Sequence, residues 1–230
     1  MAIKLDHEIS NLSSVFIEMG LTVSEQLYLA TAAFLHHDHD KAQMVVDNDK
    51  AINEDELHLE KLSLRVLVLQ QPVATDFRDV MSILKSSVDL ERMGDHAVDI
   101  ARETLALTDH AQLPEADELL SQMVQALQTM LEQILDAYIK ADQAKAKQVA
   151  ATDLEVDRDF AHLRQLLTKV VEADPQKAEL IASYLFVSRL LERAGDHVVN
   201  IAEWIVYQHT GKLVELNIGK ADRRQIDAQS

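Results

Sequence analysis

The segment LERMGDHAVDIA, residues 90–101, returns 101 residues later as LERAGDHVVNIA, residues 191–202, with nine of twelve positions identical. A second correspondence joins AFLHHDHDKA at 33–42 to AYIKADQAKA at 137–146, at an offset of 104 residues. The three-residue difference falls near the prolines that lie between the two matched regions. An internal repeat of this length indicates two similar units related by pseudo-symmetry.

The composition is typical of a helical protein without disulfides. Of the 230 residues 47% are hydrophobic, with only 5 glycines, 3 prolines and no cysteine. So few turn-forming residues favour long helices, and the absence of thiols excludes a disulfide framework or a thiolate metal site. No apolar run reaches the roughly 18 residues that a membrane span needs, and the N-terminus lacks the apolar core of a signal peptide. We therefore expect a cytoplasmic protein without direct membrane insertion.

The net charge of −17 limits the possible partners. A strongly acidic surface repels nucleic acid and anionic lipid, so we expect no nucleic-acid partner. The same charge also keeps a protein soluble, and this simpler explanation stays open.

Apolar residues recur every three or four positions, which predicts six helices separated by polar breaks. The predicted all-α fold consists of two tandem, pseudo-symmetric three-helix bundles, residues 1–110 and 111–210, followed by a polar tail at 211–230. Pro72 and Pro175 are expected in the first turns of helices three and six. The predicted helices cover 5–37, 39–70, 73–108, 114–140, 142–172 and 175–209.

Acidic residues interrupt the apolar faces of four of these helices, spaced four residues apart so that each pair lies on one face. Each pair on helix two or five is as far from its hairpin turn as a pair on helix three or six. Antiparallel packing would therefore bring the pairs together between two helices, once in each half. The candidate metal ligands are Asp49, Asn53, Glu91, Asp95, Asp153, Asp157, Glu192 and Asp196.

Converging carboxylates repel one another and need protons, basic partners or cations. Arg92 and Arg193 project roughly 100° from the glutamates before them, which predicts poor pairing. Oxygen ligands favour hard ions such as Mg²⁺, Ca²⁺, Mn²⁺ or iron. The alternative is a solvated groove, or pairing with basic side chains of another helix. His96 and His197 are expected at the surface, with a role as ligands second to that.

The chain lacks a glycine-rich phosphate loop, a nucleophile elbow and a Cys-His pair, so the sequence predicts no catalytic residues. A metal-dependent phosphate-ester hydrolase, with carboxylate-bridged ions, stays open as the alternative function. A helical scaffold without metal is a third possibility.

The two repeated phrases and the segment QQPVATDFRDVMSILK at 70–85 resemble the PhoU family over about residues 5–210. The resemblance implies a cytoplasmic regulator of phosphate uptake and phosphate-starvation signalling. Such a regulator acts between the ATPase subunit of the phosphate ABC transporter and a sensor histidine kinase, which it restrains when phosphate is plentiful.

The resemblance also implies a multinuclear metal cluster, of iron in some family members, on Glu/Asp-x-x-x-Asp pairs, and often a homodimer. Mn, Mg and Ca are the alternative metals. Three pairs match, and the fourth departs from the pattern because Asn53 follows Asp49. An uncharged amide ligates more weakly than a carboxylate, so the two clusters are not expected to fill equally.

Overall fold

The computed structural model describes residues 2–108 and 111–216, and within these ranges every regular element is a helix. A short 3₁₀ turn, Pro175–Lys177, precedes the last helix. The all-α prediction is confirmed, with boundaries within a few residues of those expected. The helices are α1 (Ala2–His36), α2 (His39–Gln70), α3 (Thr75–Ala106), α4 (Pro114–Ile139), α5 (Gln143–Ala173) and α6 (Ala178–Thr210).

The same tight turn joins the first two helices of each half. Asp38 caps α2 by accepting a hydrogen bond from the backbone N–H of Lys41 at 2.9 Å, and Asp142 caps α5 in the same way. The residues just before them, His37 and Ala141, both have φ of 52°. Side-chain caps satisfy backbone donors that the first helical turn leaves free. The histidine-rich segment at 36–40 is thus part of a capped turn.

The two hairpin tips differ, and the prediction for Pro72 was wrong. Pro72 lies in the link before α3, because Gln71 (φ 49°) and Ala74 (φ 49°) turn the chain through backbone conformations that prevent the helix from starting earlier. In the second half Asp174 alone separates α5 from the 3₁₀ turn, which begins at Pro175 and leads into α6.

Each half is a three-helix bundle, and the halves meet mainly through α3 against α6, with further packing of α1 against α4. One hydrophobic core runs through both halves. The domain limits at 110 and 210 therefore stay predictions, and residues 217–230 of the expected tail lie outside the described residues. Across the described helices none is long and apolar enough to span a membrane.

The buried positions follow the repeat closely. On α2 and α5 most buried residues correspond at an offset of 104, and on α3 and α6 most correspond at an offset of 101. Corresponding positions thus face the core in both halves, as pseudo-symmetry requires. Examples are Val45 with Val149, Ile52 with Val156, Leu59 with Leu163, Leu90 with Leu191 and Ala97 with Val198.

Candidate functional site

The second half buries most of its candidate ligands. Asp153 and Asp157 on α5 are each 2% exposed, and Glu192 on α6 is 5% exposed. Asp196, one turn along from Glu192, is half-buried. Three buried carboxyl groups in one helix pair are unusual, because an ionised carboxylate is costly to remove from water without compensation.

A glycine on α6 makes room for one of these acids. A Cβ atom placed on Gly195 would lie only 2.2 Å from Oδ1 of Asp153, so the carboxylate occupies the space that any other residue's side chain would fill. Gly195 stands between Glu192 and Asp196 in the sequence. The predicted meeting of the α5 acids with this stretch of α6 is therefore seen for Asp153.

The first half fills the equivalent space differently. A Cβ on Gly94 would meet the side chain of Ile52 at 3.1 Å, and no carboxylate atom is among its neighbours. Ile52 corresponds to Val156, and its extra methyl group reaches the Gly94 surface. Asp49 and Glu91 are only half-buried and Asn53 is exposed. The two candidate sites are therefore unequal in burial as well as in ligand type.

The electrostatics around Glu91 show that acids do converge in the first half. Burial raises the pKa of Glu91, and the negative charges of Asp95, Glu56 and Asp49 raise it further, while Arg92 opposes them. Asp49 on α2 and Asp95 on α3 are thus both near enough to act on Glu91. The structure brings these three predicted residues into one acidic cluster, and Asn53 is exposed.

Glu56 is a member of this cluster that sequence reasoning missed. Burial raises the pKa of Glu56, with Glu60 adding to the rise and Arg92 opposing it. Glu56 follows Asn53 by three residues, a helical spacing that could have identified it. The corresponding residue of the second half is Phe160, which explains why the comparison of repeats did not select it.

The prediction that the arginines would pair poorly was wrong for Arg92. Its Nη1 lies 3.1 Å from Oδ2 of Asp95, and its Nε lies 3.5 Å from Oε2 of Glu91. The long guanidinium side chain bends back along the helix, so the angle at Cα does not limit its reach.

In the second half the guanidinium comes from a position that the sequence did not suggest. Arg189 Nη1 lies 3.0 Å from Oε2 of Glu192, and its guanidinium stands 5.7 Å from the ring centroid of Phe160. Arg92 and Arg189 each contact acids of their own helix.

The donor set of the second half suits a hard cation, since it consists of carboxylates that are buried and crowded against a glycine. Their described positions, however, do not form a ready ligand set. Across residues 2–108 and 111–216 no group of three or more His, Asp or Glu side chains is arranged to hold a metal ion. Binding would require the carboxylates to reorient, and the eight candidate ligands stay a prediction.

The histidines of the repeated phrases are not surface residues, contrary to expectation. His96 is buried, and burial, helped by the neighbouring His197, Arg193 and Arg92, lowers the pKa of His96 to about 4. The rings of His96 and His197 stand 5.5 Å apart between centroids. Both lie where α3 packs against α6, a surface that one bundle taken alone would leave exposed.

Asp89 joins the two halves at this surface. Its Oδ1 lies 2.9 Å from Nδ1 of His197 and also accepts a hydrogen bond of 2.9 Å from Asn200. The position that corresponds to Asp89 in the second half is Leu190, so His96 has no such acid. The Asp89 contact is therefore not repeated by the pseudo-symmetry, because the equivalent residue is apolar.

Comparison with known proteins identifies both repeats. The family model described as the PhoU domain matches residues 16–104 and 120–205. Both matched ranges contain one of the acidic helix pairs described above.

Curated relatives match nearly the whole chain. A protein of Clostridium acetobutylicum is 32% identical over 92% of this chain and 97% of its own length. One from Streptococcus pneumoniae serotype 4 is 34% identical over 93% of this chain and 99% of its own. Both are named phosphate-specific transport system accessory protein PhoU homolog.

Solved structures agree with the sequence comparison. The phosphate transport system regulatory protein PhoU from Streptococcus pneumoniae superposes with a TM-score of 0.86 at 32% identity, covering 91% of this chain and 99% of that one. PhoU from Pseudomonas aeruginosa superposes with a TM-score of 0.85, covering 90% and 99%.

Proposed function

This chain belongs to the PhoU family, and we propose that it regulates phosphate uptake and phosphate-starvation signalling as an adaptor. In this role it contacts the ATPase subunit of the phosphate ABC transporter and a sensor histidine kinase, and it restrains the kinase when phosphate is plentiful. The observation that carries the proposal is that relatives matching over nine-tenths of the chain are named accessory proteins of phosphate-specific transport. Their names describe accessory and regulatory proteins, which favours an adaptor over the phosphate-ester hydrolase.

A direct binding measurement tests the adaptor role. The purified full chain is titrated against the ATPase subunit and against the cytoplasmic part of the kinase from the same organism, with and without phosphate. We expect micromolar or tighter binding to both. In cells, deletion of the gene should switch on a phosphate-starvation reporter in phosphate-rich medium. The adaptor proposal is refuted if neither protein binds and the reporter stays silent.

The second part of the proposal is that the acidic clusters take hard cations. Asp153, Asp157, Glu192 and Asp196 would hold the ions in the second half, with Asp49, Glu91 and Asp95 in the first. The ions would neutralise converging carboxylates and fix α5 to α6 and α2 to α3. Burial of three carboxyl groups in the second half supports this, and it suggests that the second site fills first.

Metal content and thermal stability together test this part. Protein purified without chelator is expected to carry iron, manganese or another divalent metal, and added Mn²⁺ should raise the melting temperature of metal-free protein. Asp153→Asn should reduce the second-site metal, whereas Asn53→Ala should change it little. If no added divalent ion changes the melting temperature of metal-free protein, the metal-binding part of the proposal is refuted and the adaptor role is unaffected.

The cytoplasmic location and the homodimer also belong to the proposal. Partners of this kind, an ATPase subunit and a kinase domain, meet a regulator on the cytoplasmic side of the membrane. Sedimentation velocity at several concentrations measures the oligomeric state directly, and we expect a mass of twice 25.9 kDa.

A further inference from the structure

The first hairpin presents large apolar side chains to solvent. Six exposed hydrophobic residues fall within a stretch of 21 residues at the end of α2 and the start of α3, and Val68 and Val73 are 70% and 74% exposed. Scattered single exposed hydrophobics are ordinary, whereas a cluster indicates an interaction surface. We name this cluster the hairpin surface; it consists of Leu57, Leu64, Val68, Leu69, Val73 and Phe77.

Three residues of the hairpin surface share one face of α2, which we call the stripe, with Glu60 and Lys61 on the turn between the first two. At 100° per residue, Leu57, Leu64 and Val68 lie within about 40° of one another around the helix axis. A second helix laid along α2 would meet these side chains in succession, at the spacing by which helices recognise amphipathic partners.

The internal repeat shows that the fold does not need this stripe. The second half builds the equivalent α5–α6 hairpin, with the same buried register, but has Ala161 in place of Leu57 and polar residues in place of Leu64 and Val68. Leu64 and Val68 correspond to Thr168 and Glu172, which are exposed. Since one hairpin folds without the apolar side chains, their presence on the other requires a reason other than folding.

The charge around the stripe indicates the partner. Residues 57–77 contain two basic and two acidic side chains, so this stretch is neutral in a chain whose net charge is −17. Lys61 and Arg65 are exposed along one side of the stripe, and neither forms an ion pair with any residue in the described part of the chain. An apolar stripe beside unpaired basic groups complements an amphipathic helix with acidic residues beside its apolar face.

We propose that the hairpin surface docks an acidic amphipathic helix of a protein partner. This proposal rests on the adaptor function and assigns that function a surface. An anionic membrane is disfavoured as the occupant because it extends beyond the stripe and would also face the acidic remainder of the protein, whereas a single helix contacts only the stripe and its basic edge. A second copy docked stripe to stripe is disfavoured as well, since the two Lys61–Arg65 edges would face each other.

Exchange of residues between the repeats gives the test. The double variant Leu64→Thr/Val68→Glu installs the second hairpin's own residues, so it is expected to fold with an unchanged melting temperature. Its affinity for whichever of the ATPase subunit and kinase binds the native chain should fall about tenfold or more. Lys61→Glu/Arg65→Glu should weaken the same binding and reduce its dependence on salt. The matched control, Thr168→Ala/Glu172→Ala on the second hairpin, should leave the affinity within about twofold.

The outcomes separate this inference from the adaptor role. If the native chain binds a partner and Leu64→Thr/Val68→Glu binds equally well, the docking surface is overturned and the adaptor role is retained. If the native chain binds neither partner, the docking surface is refuted, and the adaptor role is refuted as well when the starvation reporter also stays silent. Hydrogen exchange of the bound partner should show protection in an acidic helical segment, and protection of a basic segment instead would overturn the inference.

Two further measurements exclude the other occupants. A native dimer that becomes monomeric in Leu64→Thr/Val68→Glu would show that a second copy covers the surface. Flotation of the native chain with phosphatidylglycerol–phosphatidylcholine vesicles, lost in the same variant, would show that a membrane does. Either result would overturn the proposal, while a mass independent of the variant and no flotation would support it.

Discussion

Oδ1 of Asp153 lies so close to Gly195 that a Cβ atom on this glycine would stand 2.2 Å from it. No such contact occurs at Gly94, where the nearest atoms belong to the Ile52 side chain at 3.1 Å. The two copies of the repeated phrase therefore serve different neighbours. In the second half the glycine accommodates an acid, and in the first it accommodates an apolar side chain.

This difference predicts unequal effects for the same substitution. Gly195→Ala forces the Asp153 carboxylate to move, and we expect a loss of about 1–3 kcal/mol in the free energy of unfolding. Gly94→Ala requires Ile52 to shift by a few tenths of an ångström. Since alanine favours a helix over glycine by about 0.5–1 kcal/mol, we expect this variant to be nearly neutral. Urea denaturation of both measures the difference, and equal losses would contradict the assignment of Asp153 to this space.

Asp89 is predicted to stabilise the contact between the two halves. Asp89→Leu removes the acceptor shared by His197 and Asn200, and we expect it to cost about 1–3 kcal/mol. Asp99→Leu is the control, because Asp99 is partly exposed and its ion pair is with Arg102 on its own helix at 3.3 Å. A surface pair of this kind contributes at most about 1 kcal/mol. Chemical denaturation that ranks the two variants the other way would refute the role of Asp89.

The two arginines beside the acidic clusters should differ in importance. Arg189→Ala leaves the buried Glu192 without its guanidinium contact, and we expect a loss of about 1–3 kcal/mol. Arg92→Ala acts on Glu91 and Asp95, whose side chains are 22% and 37% exposed and remain hydrated. We expect that loss to stay below about 1 kcal/mol. Thermal unfolding of both variants at low salt tests the ranking, which fails if Arg92→Ala is the more damaging.

Tyr138 predicts a loss of stability at alkaline pH. Burial raises the pKa of its phenol to about 12, while a hydrogen bond with Ser13 opposes the rise and the charge of Asp79 adds to it. The unfolded phenol loses its proton near pH 10, so only the unfolded state is deprotonated between about pH 10 and 12. The contribution of Tyr138 to the free energy of unfolding is fully present below pH 10. It falls as the pH rises through this window, by at most about 3 kcal/mol.

The replacement Tyr138→Phe should flatten this part of the stability profile. It should also remove one late phase from the ultraviolet titration of the four tyrosines. Tyr28→Phe is the control, since it makes the same chemical change at an exposed tyrosine. A profile that keeps its alkaline slope without Tyr138 would assign the effect to other groups.

Much of the fold was predictable because it depends on local patterns. The apolar spacing predicted the six helices, and the repeat predicted which helices of the two halves correspond. The predicted starts of α3 and α6 were a few residues too early, because Ala74 adopts a positive φ and Pro175 begins a 3₁₀ turn. Those details depend on how the chain closes each hairpin, and helical periodicity carries no information about them.

The acidic clusters were predictable in part. Spacing along each helix and symmetry about the hairpin turns predicted that the acids of paired helices would meet. The structure has Asp49 near Glu91 and Asp153 near Gly195. The reach of Arg92 was misjudged because helix angles locate Cα atoms, whereas a long flexible side chain can bend back to either neighbour. Glu56 was missed because the second half has Phe160 in its place.

The sequence by itself determined the helices, their pairing into two repeated bundles and the faces on which the acids lie, since each follows from periodicity along one chain segment. Only the tertiary structure decided that His96 is buried, that Asp89 joins the halves through His197, and that the second acidic cluster is more buried than the first. Burial depends on which surfaces of distant helices meet. The packing of α3 against α6 covers residues that either bundle alone would leave in water.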